Sequence, residues 1–285
     1  MEVAEARTAF LEGRGVFASE CALIWVEGQD AERFLQGLLT NDIAALMPGQ
    51  SCPALLLDDK GRIQAGMTVL RDAHETFTLV LDPRVGVRVT DTLHEFHFSE
   101  DLEVLGPENA GRITVSEAVS KPQVDAETVG RLPSSHEWIV VDTQAFLAES
   151  DLEALPTEVF HILRVENGIP RVGVDTNDRT LVQEAGIEAL TVSFSKGCYL
   201  GQETVARLQH RGSARKTLRG LTSETKLPTG AEVVAGKTVG AVTSSVVSPA
   251  FGPIGLAILR TDAQPGDHVE VDGQSATVVD LPFKQ

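Results

Sequence analysis

Cysteine and tyrosine are scarce in this sequence of 285 residues, which has three cysteines and one tyrosine. The cysteines, at positions 21, 52 and 198, are odd in number and far apart, which excludes the disulfide framework of a small secreted domain. This cysteine usage indicates a reducing cytoplasm. Residues 1–14 lack the apolar segment of a secretory signal, and no run of about 18 apolar residues occurs, so neither a signal peptide nor a membrane span is predicted.

Positive charge is also in short supply. Lys and Arg number 24 against 41 Asp and Glu, which gives a formal net charge of −17. Phosphate backbones and anionic membranes favour basic surfaces, so this composition disfavours direct nucleic-acid binding and membrane association. Residues 196–216 reverse the sign, with five basic residues and a single acid, Glu203. This basic island indicates an anionic small ligand or an acidic partner, or else only a solvated helix face with a Glu203–Arg207 pair.

The segment from Lys196 to Glu203, K-G-C-Y-L-G-Q-E, contains one of the three cysteines and the single tyrosine among charged and polar residues. Its two glycines predict a tight loop, and the apolar positions Val205 and Leu208 predict a helix after it. A thiol just before a helix N-terminus, two residues from a lysine, lies in positive potential that favours the thiolate. Cys198 is therefore a candidate reactive or ligating sulfur, and the alternative is a small buried core residue.

Hydrophobic periodicity predicts α/β structure up to about residue 216. The predicted elements are strands at 21–26, 54–57, 63–70, 76–81, 102–105, 112–115 and 137–141, a hairpin turn at 58–61, helices capped by Asp30 and Thr157, a helix over 85–97 and a loop over 121–133. Beyond about residue 217, short strands alternate with Gly and Pro turns, which is typical of a small β-barrel or sandwich. His94 and His97 have the spacing of two metal ligands, but nothing nearby completes a set, so no metal site is predicted.

The segment from Lys196 to Glu203 matches the K-G-C-Y-x-G-Q-E signature of the YgfZ-type folate-binding proteins. That family acts in iron–sulfur cluster maturation and tRNA modification, and is related to the aminomethyltransferase (T protein) of the glycine cleavage system. Further segments resemble the family in order and spacing: Phe34 to Gly37, Thr40 to Asp42, Asp58 to Ile63, Arg164 to Pro170, Gln183 to Gly186, and Gly240 to Ser245. The resemblance therefore spans nearly the whole chain.

The resemblance implies an α+β fold: a T-protein-like three-domain ring with two α/β subdomains plus a C-terminal small β-barrel. The expected domains are a discontinuous folate-binding α/β domain (1–50 and 120–216), an inserted α/β subdomain (51–119) and a barrel (217–285). The implied cofactor is tetrahydrofolate or another folate derivative. The implied function is assembly or repair of iron–sulfur proteins, with an indirect effect on tRNA modification. Expected partners are folate and iron–sulfur client or assembly proteins, without direct nucleic-acid contact and without a membrane.

The same resemblance supplies the expected site residues. Glu184 has the position that contacts the pterin in the T-protein relatives, although Val182 stands where they commonly have proline. A carboxylate suits that contact, because its two acceptors match the two adjacent N–H donors of an aminopyrimidine edge. The expected site has Cys198 as its catalytic residue, and its folate contacts are Glu184, Lys196, Tyr199, Gln202 and Arg207.

One departure from the relatives bears on activity. The T proteins carry a pair of aspartates on the strand after the hairpin, and the matching positions here are Ala65 and Gly66. Neither side chain can accept a proton, so aminomethyl transfer is disfavoured. Three hypotheses remain: an iron–sulfur maturation factor that uses Cys198, a tetrahydrofolate-dependent one-carbon transferase, and a binding module whose basic helix, residues 202–211, contacts an acidic partner.

Overall fold

The computed structural model describes residues 1–116, 128–131, 137–141, 151–212 and 214–284. The chain divides into two compact units. The first unit comprises Met1–Asp59, Gln64–Thr157 and Ala189–Gln202, and the second comprises Lys60–Ile63, Glu158–Glu188 and Glu203–Gln285. The division into three domains stays a prediction.

The described elements are a mixture of helices and strands up to residue 211 and are strands thereafter. Those up to residue 154 are α1 (Val3–Leu11), β1 (Gly15–Glu27), α2 (Ala31–Leu38), β2 (Gln50–Leu57), β3 (Ile63–Ala73), β4 (Thr76–Leu81), a 3-10 turn (Pro83–Val85), α3 (Gly86–Phe96), β5 (Glu103–Ser116), β6 (Thr128–Arg131), β7 (Glu137–Val141) and β8 (Glu153–Ala154). The rest are α4 (Thr157–Glu166), α5 (Val182–Ala185), α6 (Glu188–Thr191), α7 (Gln202–Arg211), β9 (Lys216–Ser223), β10 (Glu232–Ala235), β11 (Lys237–Ser248), β12 (Gly252–Arg260), β13 (His268–Val271) and β14 (Gln274–Val279).

An eight-stranded sheet builds the first unit, in the order β2-β3-β4-β1-β5-β7-β6, with β8 parallel to β1. Its main core packs the apolar stripe of α2, including Phe34 and Leu35, against Ile24, Phe77 and Leu79 from the strands. The predicted hairpin is confirmed: β2 and β3 are neighbours in the sheet. Gly61 in its turn has a φ of 76°, a conformation that suits glycine because it has no Cβ.

Three local predictions differ from the structure. Asp30 does not cap α2 through its side chain; its carboxylate accepts hydrogen bonds from the backbone N–H of Asp101 (2.9 Å) and from Arg33 (3.0 Å). The strands predicted at 102–105 and 112–115 are the single strand β5, because pairing with β1 runs through the residues between them. The loop predicted at 121–133 contains β6, which pairs with β7, and the remainder of that loop lies outside the described residues.

The predicted C-terminal β domain is a closed barrel of six strands, in the order β10-β11-β12-β9-β14-β13. Closure leaves no open sheet edge. Leu221, Val242, Leu259 and other aliphatic residues fill the interior. A second apolar cluster joins Val165 of α4 to Leu218, Leu256 and Phe283.

A buried ion pair ties the segment after α4 to the barrel within the second unit. Arg164 donates to Asp175 Oδ2 (2.8 Å) and to Ser244 Oγ (2.7 Å). Asp175 Oδ1 in turn accepts from the hydroxyls of Thr243 (2.6 Å) and Ser244 (2.7 Å). The side chain of Asp175 is 0% exposed and that of Arg164 is 9% exposed. Burying two charges is tolerated because each finds further hydrogen bonds besides its partner.

Replacing this aspartate should therefore destabilise the protein strongly. Asp175→Ala leaves Arg164 buried without its counter-charge, and we expect a loss of about 3–5 kcal/mol in the free energy of unfolding. Urea unfolding followed by circular dichroism measures this loss. The matched control is Asp178→Ala, because Asp178 is exposed in the same segment. Similar losses for the two variants, or less than about 1 kcal/mol for Asp175→Ala, would contradict the assignment.

Candidate functional site

The segment that carries the cysteine motif is fastened to the end of α2 in the first unit. The Ser193 N–H donates to Thr40 O (3.0 Å), and the Leu200 N–H donates to Gly37 O (3.2 Å). The hydroxyl of Thr40 donates to Thr191 O (2.6 Å) and accepts from the Leu55 N–H (2.9 Å). Thr40, which is fully buried, thus links β2 to the segment before the motif.

The side chain of Lys196 makes three hydrogen bonds to the backbone near the end of α2. Its Nζ donates to the backbone carbonyls of Gln36, Leu39 and Asn41, each at 2.7 Å. An ammonium has three donors, so all of them have acceptors. Burial lowers the pKa of Lys196 to about 8, and the nearby Asp42 and Cys52 oppose that shift. The Nζ also lies 5.3 Å from the centre of the Tyr199 ring.

The two motifs on and after α2 build the surface that receives Lys196. Gln36 accepts the Ile43 N–H through Oε1 (2.7 Å) and donates to Asp42 Oδ1 (2.9 Å), which folds the chain back after the helix. Asn41 donates to Pro53 O (2.7 Å) and to Leu190 O (3.3 Å). The segments Phe34 to Gly37 and Thr40 to Asp42 therefore shape the turn that receives Lys196.

Cys198 lies exposed on this fastened loop, while Cys21 is buried and Cys52 is half-buried. Burial raises the pKa of the Cys52 thiol to about 12, although Lys196 acts to lower it. Burial likewise raises the pKa of Tyr199 to about 12, and this residue is 7% exposed. Gln202 is the first residue of α7, and its N–H donates to Tyr199 O (3.2 Å). Of the three cysteines, Cys198 is thus the most accessible to a partner.

Glu184 lies in the second unit, on the one-turn helix α5, which Gly186 ends at a φ of 67°. Its Oε2 accepts the Leu181 N–H at 3.1 Å, so part of the carboxylate caps the helix. The neighbouring Gln183 donates through Nε2 to Val205 O (2.9 Å), which joins α5 to α7. Arg207, half a turn further along α7, is exposed.

The polypeptide before Glu184 is held by strand-like contacts. Ile63 N–H donates to Thr180 O (2.9 Å), and Arg62 forms a bridge with Leu181. Two buried acceptors near Glu184 have no hydrogen-bond donor among the described residues, Gln183 Oε1 and Glu188 Oε2. Burial raises the pKa of Glu188. A buried acceptor without a donor costs about 1–3 kcal/mol.

The residues predicted as one site fall into two groups. Lys196, Cys198 and Tyr199 belong to the first unit, whereas Glu184 and Arg207 belong to the second. The site roles predicted for these residues and for Gln202 stay predictions. The basic island is likewise divided, because Lys196 contacts backbone in the first unit while Arg215 and Lys216 are exposed in the second.

Sequence reasoning did not assign roles to several of the polar residues that shape these groups. Thr40, Asp175 and Gln183 each act through contacts with distant residues. Thr40 and Gln183 lie in segments that resemble the family, whereas Asp175 does not. The side chain of Ala65, at one of the positions of the missing aspartates, is fully buried in the first core. No set of three or more His, Cys, Asp or Glu is placed to hold a metal within the described ranges. In the same part of the chain, no helix is long and apolar enough to cross a membrane.

Two family models match the chain and together span more than half of it. Residues 4–107 match the GCVT N-terminal domain, and residues 216–284 match the glycine cleavage T-protein C-terminal barrel domain. The fold is similar to that of the glycine cleavage system aminomethyltransferase T from Bartonella henselae, with a TM-score of 0.81 and 19% identity. That likeness covers 98% of this chain and 89% of the other.

Several curated proteins are more similar to this chain in sequence than that aminomethyltransferase, but over a smaller part of the chain. The tRNA-modifying protein YgfZ of Colwellia psychrerythraea is 25% identical over 78% of this chain and 75% of its own. The YgfZ protein of Photorhabdus laumondii is 28% identical over 72% and 70%, and an uncharacterized protein of Haemophilus influenzae is 27% identical over 69% of each chain. The chain therefore carries the GCVT N-terminal domain and the glycine cleavage T-protein C-terminal barrel domain, and it has homologues named tRNA-modifying protein YgfZ.

Proposed function

We propose that this protein is a folate-binding factor that assists the assembly or repair of iron–sulfur proteins, with an indirect effect on tRNA modification. Relatives named tRNA-modifying protein YgfZ and the T-protein domains support the general assignment. The observation that carries the folate part is the carboxylate of Glu184. One of its oxygens caps α5, which leaves the other, Oε1, to accept hydrogen bonds from a ligand.

The residues around Glu184 fit a pterin by their chemistry. An aminopyrimidine edge is rich in N–H donors, and this turn is rich in acceptors: Glu184, with Gln183 and Glu188 beside it. Arg207, on the helix that Gln183 contacts, suits the anionic tail of a folate. A bound tetrahydrofolate would supply a reduced pterin ring, and these residues would bind and orient it. The contacts assigned to Tyr199 and Gln202 stay predictions, and Lys196 already donates all three of its N–H groups to backbone carbonyls.

Cys198 carries the iron–sulfur part of the proposal. The thiol is exposed on a loop held at both ends, which suits a group that meets a partner protein. A stable cluster ordinarily takes four ligands, so a single thiolate would hold iron or a cluster only together with ligands from the client. An alternative role for the same thiol is exchange with a thiol of the client.

The second candidate function is tetrahydrofolate-dependent aminomethyl transfer, which the similarity to an aminomethyltransferase fold motivates. Ala65 and Gly66 count against it, because neither supplies the carboxylate that would assist the transfer. The third hypothesis, a module that presents α7 to an acidic partner, is motivated by the basic residues of that helix, Arg207 and Arg211, of which Arg207 is exposed. We favour the first because it alone gives the exposed thiol a role.

The folate assignment predicts a loss of affinity in Glu184→Gln. The amide oxygen can still accept the Leu181 N–H, so the helix cap is kept, but the remaining amide nitrogen is a donor that faces the donors of the pterin. Losing a charge-assisted pair of hydrogen bonds should weaken binding of tetrahydrofolate by about 10- to 100-fold. Anaerobic titration calorimetry measures the dissociation constant. Glu203→Gln, at an exposed acid of α7, is the control, and an unchanged constant for Glu184→Gln would remove the assignment.

The thiol assignment predicts that Cys198→Ala fails to restore the activity of iron–sulfur enzymes in a strain that lacks the gene. Cys52→Ala should restore that activity, since Cys52 is half-buried and burial keeps its thiol protonated. The readout is the activity of an iron–sulfur tRNA-modifying enzyme, measured as the fraction of modified tRNA. Full restoration by Cys198→Ala would refute the role of the thiol.

A further inference from the structure

The C-terminal end of α2 forms a cation site from backbone carbonyls. The last carbonyls of a helix have no intrahelical partner, and the helix dipole makes this end negative. Here the carbonyls of Gln36, Leu39 and Asn41 meet at one point, 2.7 Å from the same nitrogen. Gln36 also fixes the turn that follows, through its bonds to Ile43 and Asp42. The three carbonyls therefore come from the last turn of α2 and the residues just after it.

Lys196 reaches this site from a segment that is distant in sequence, separated from Gln36 by 160 residues. It stands between two backbone anchors of the same segment, Ser193 to Thr40 and Leu200 to Gly37. Cys198 lies between Lys196 and the second anchor. The lysine thus supplies a further attachment for the loop, between those two backbone anchors.

Placing the Lys196 ammonium at this site costs desolvation free energy, which an uncharged side chain would avoid. Burial lowers the pKa of Lys196 to about 8, which means that the folded surroundings disfavour its charge relative to water. Of the two titratable groups that face it, the carboxylate of Asp42 recovers only part of that cost, and the thiol of Cys52 is kept protonated by its own burial. A methionine would fill similar volume beside Tyr199 without burying a charge, so packing alone does not explain a lysine here.

We propose that Lys196 is a positioning residue for Cys198: its ammonium occupies the carbonyl site at the end of α2 and thereby holds the thiol-bearing loop in one conformation. The inference rests on the proposed function only for the importance of the thiol. It assigns Lys196 to the protein backbone rather than to the folate.

The test is to remove the Lys196 side chain and to ask whether a small added ammonium ion restores the order of the loop. Lys196→Ala empties the carbonyl site, and hydrogen exchange measured by mass spectrometry at neutral pH then reports the protection of the amides of residues 191–201. We expect exchange there to speed up about tenfold, because local opening is limited by this attachment. Ethylammonium chloride, which brings three N–H donors, should restore the protection. Tetramethylammonium chloride at equal concentration should not, since it has the charge and no donor.

A second readout follows the thiol itself. The rate of Cys198 alkylation by iodoacetamide, located by mass spectrometry, should change at least about threefold in Lys196→Ala and return with ethylammonium only. Lys196→Met keeps the aliphatic stem beside Tyr199 and serves if the alanine variant fails to fold; it should lose the same protection. The charge control is Lys226→Met, at an exposed lysine of the second unit, which should leave both readouts unchanged.

Wild-type protection in both Lys196 variants would overturn the proposal, and so would equal rescue by the two ammonium salts. Neither measurement involves folate or iron. The positioning role of Lys196 and the proposed function can therefore fail separately. If the Cys198→Ala variant restores iron–sulfur enzyme activity, the proposed function is refuted, and the hydrogen-exchange result for Lys196 is unaffected.

Discussion

The half-buried ammonium of Lys196 on three backbone carbonyls is the contact on which the motif segment depends. It satisfies the polar end of α2 and fixes a loop that has little apolar surface of its own: Ser195, Gly197 and Cys198 are exposed. The buried ring of Tyr199 and hydrogen bonds to its neighbours therefore hold this loop. The same requirement explains Thr40, whose side chain and backbone contact both β2 and the segment that leads into the motif.

In the second unit, an ion pair between Arg164 and Asp175 likewise holds a segment that has few apolar residues. The segment from Arg164 to Leu181 has few apolar residues, and the buried Asp175 fastens it to the barrel through Arg164, Thr243 and Ser244. This anchoring brings the chain to Glu184 in a fixed position relative to α7. A carboxylate that must meet a planar ligand edge needs such rigidity, because a displacement of about 1 Å weakens directional hydrogen bonds.

Periodic patterns predicted the strands, the stripe of α2 and the C-terminal barrel, since alternation and turn residues are local signals. Side-chain contacts were less predictable. Asp30 is a residue type that often caps a helix, yet its carboxylate accepts the backbone N–H of Asp101 instead. Lys196 was expected to contact the folate, as a member of the basic island and of the motif, and only the folded chain brings it to Gln36. Family resemblance located Glu184 and Cys198, whereas Asp175 and Gln183 act through long-range partners that sequence order does not reveal.

Function in this account is divided between an acceptor-rich turn that binds a reduced folate and a held loop that presents a thiol. A crystal structure of the protein grown anaerobically with tetrahydrofolate tests this account most directly. We predict the amino group and ring N–H of the pterin within hydrogen-bond distance of the Glu184 carboxylate, with the Lys196 ammonium still on its three carbonyls. A pterin bound without contact to Glu184, or a folate bound through Lys196 released from α2, would contradict it.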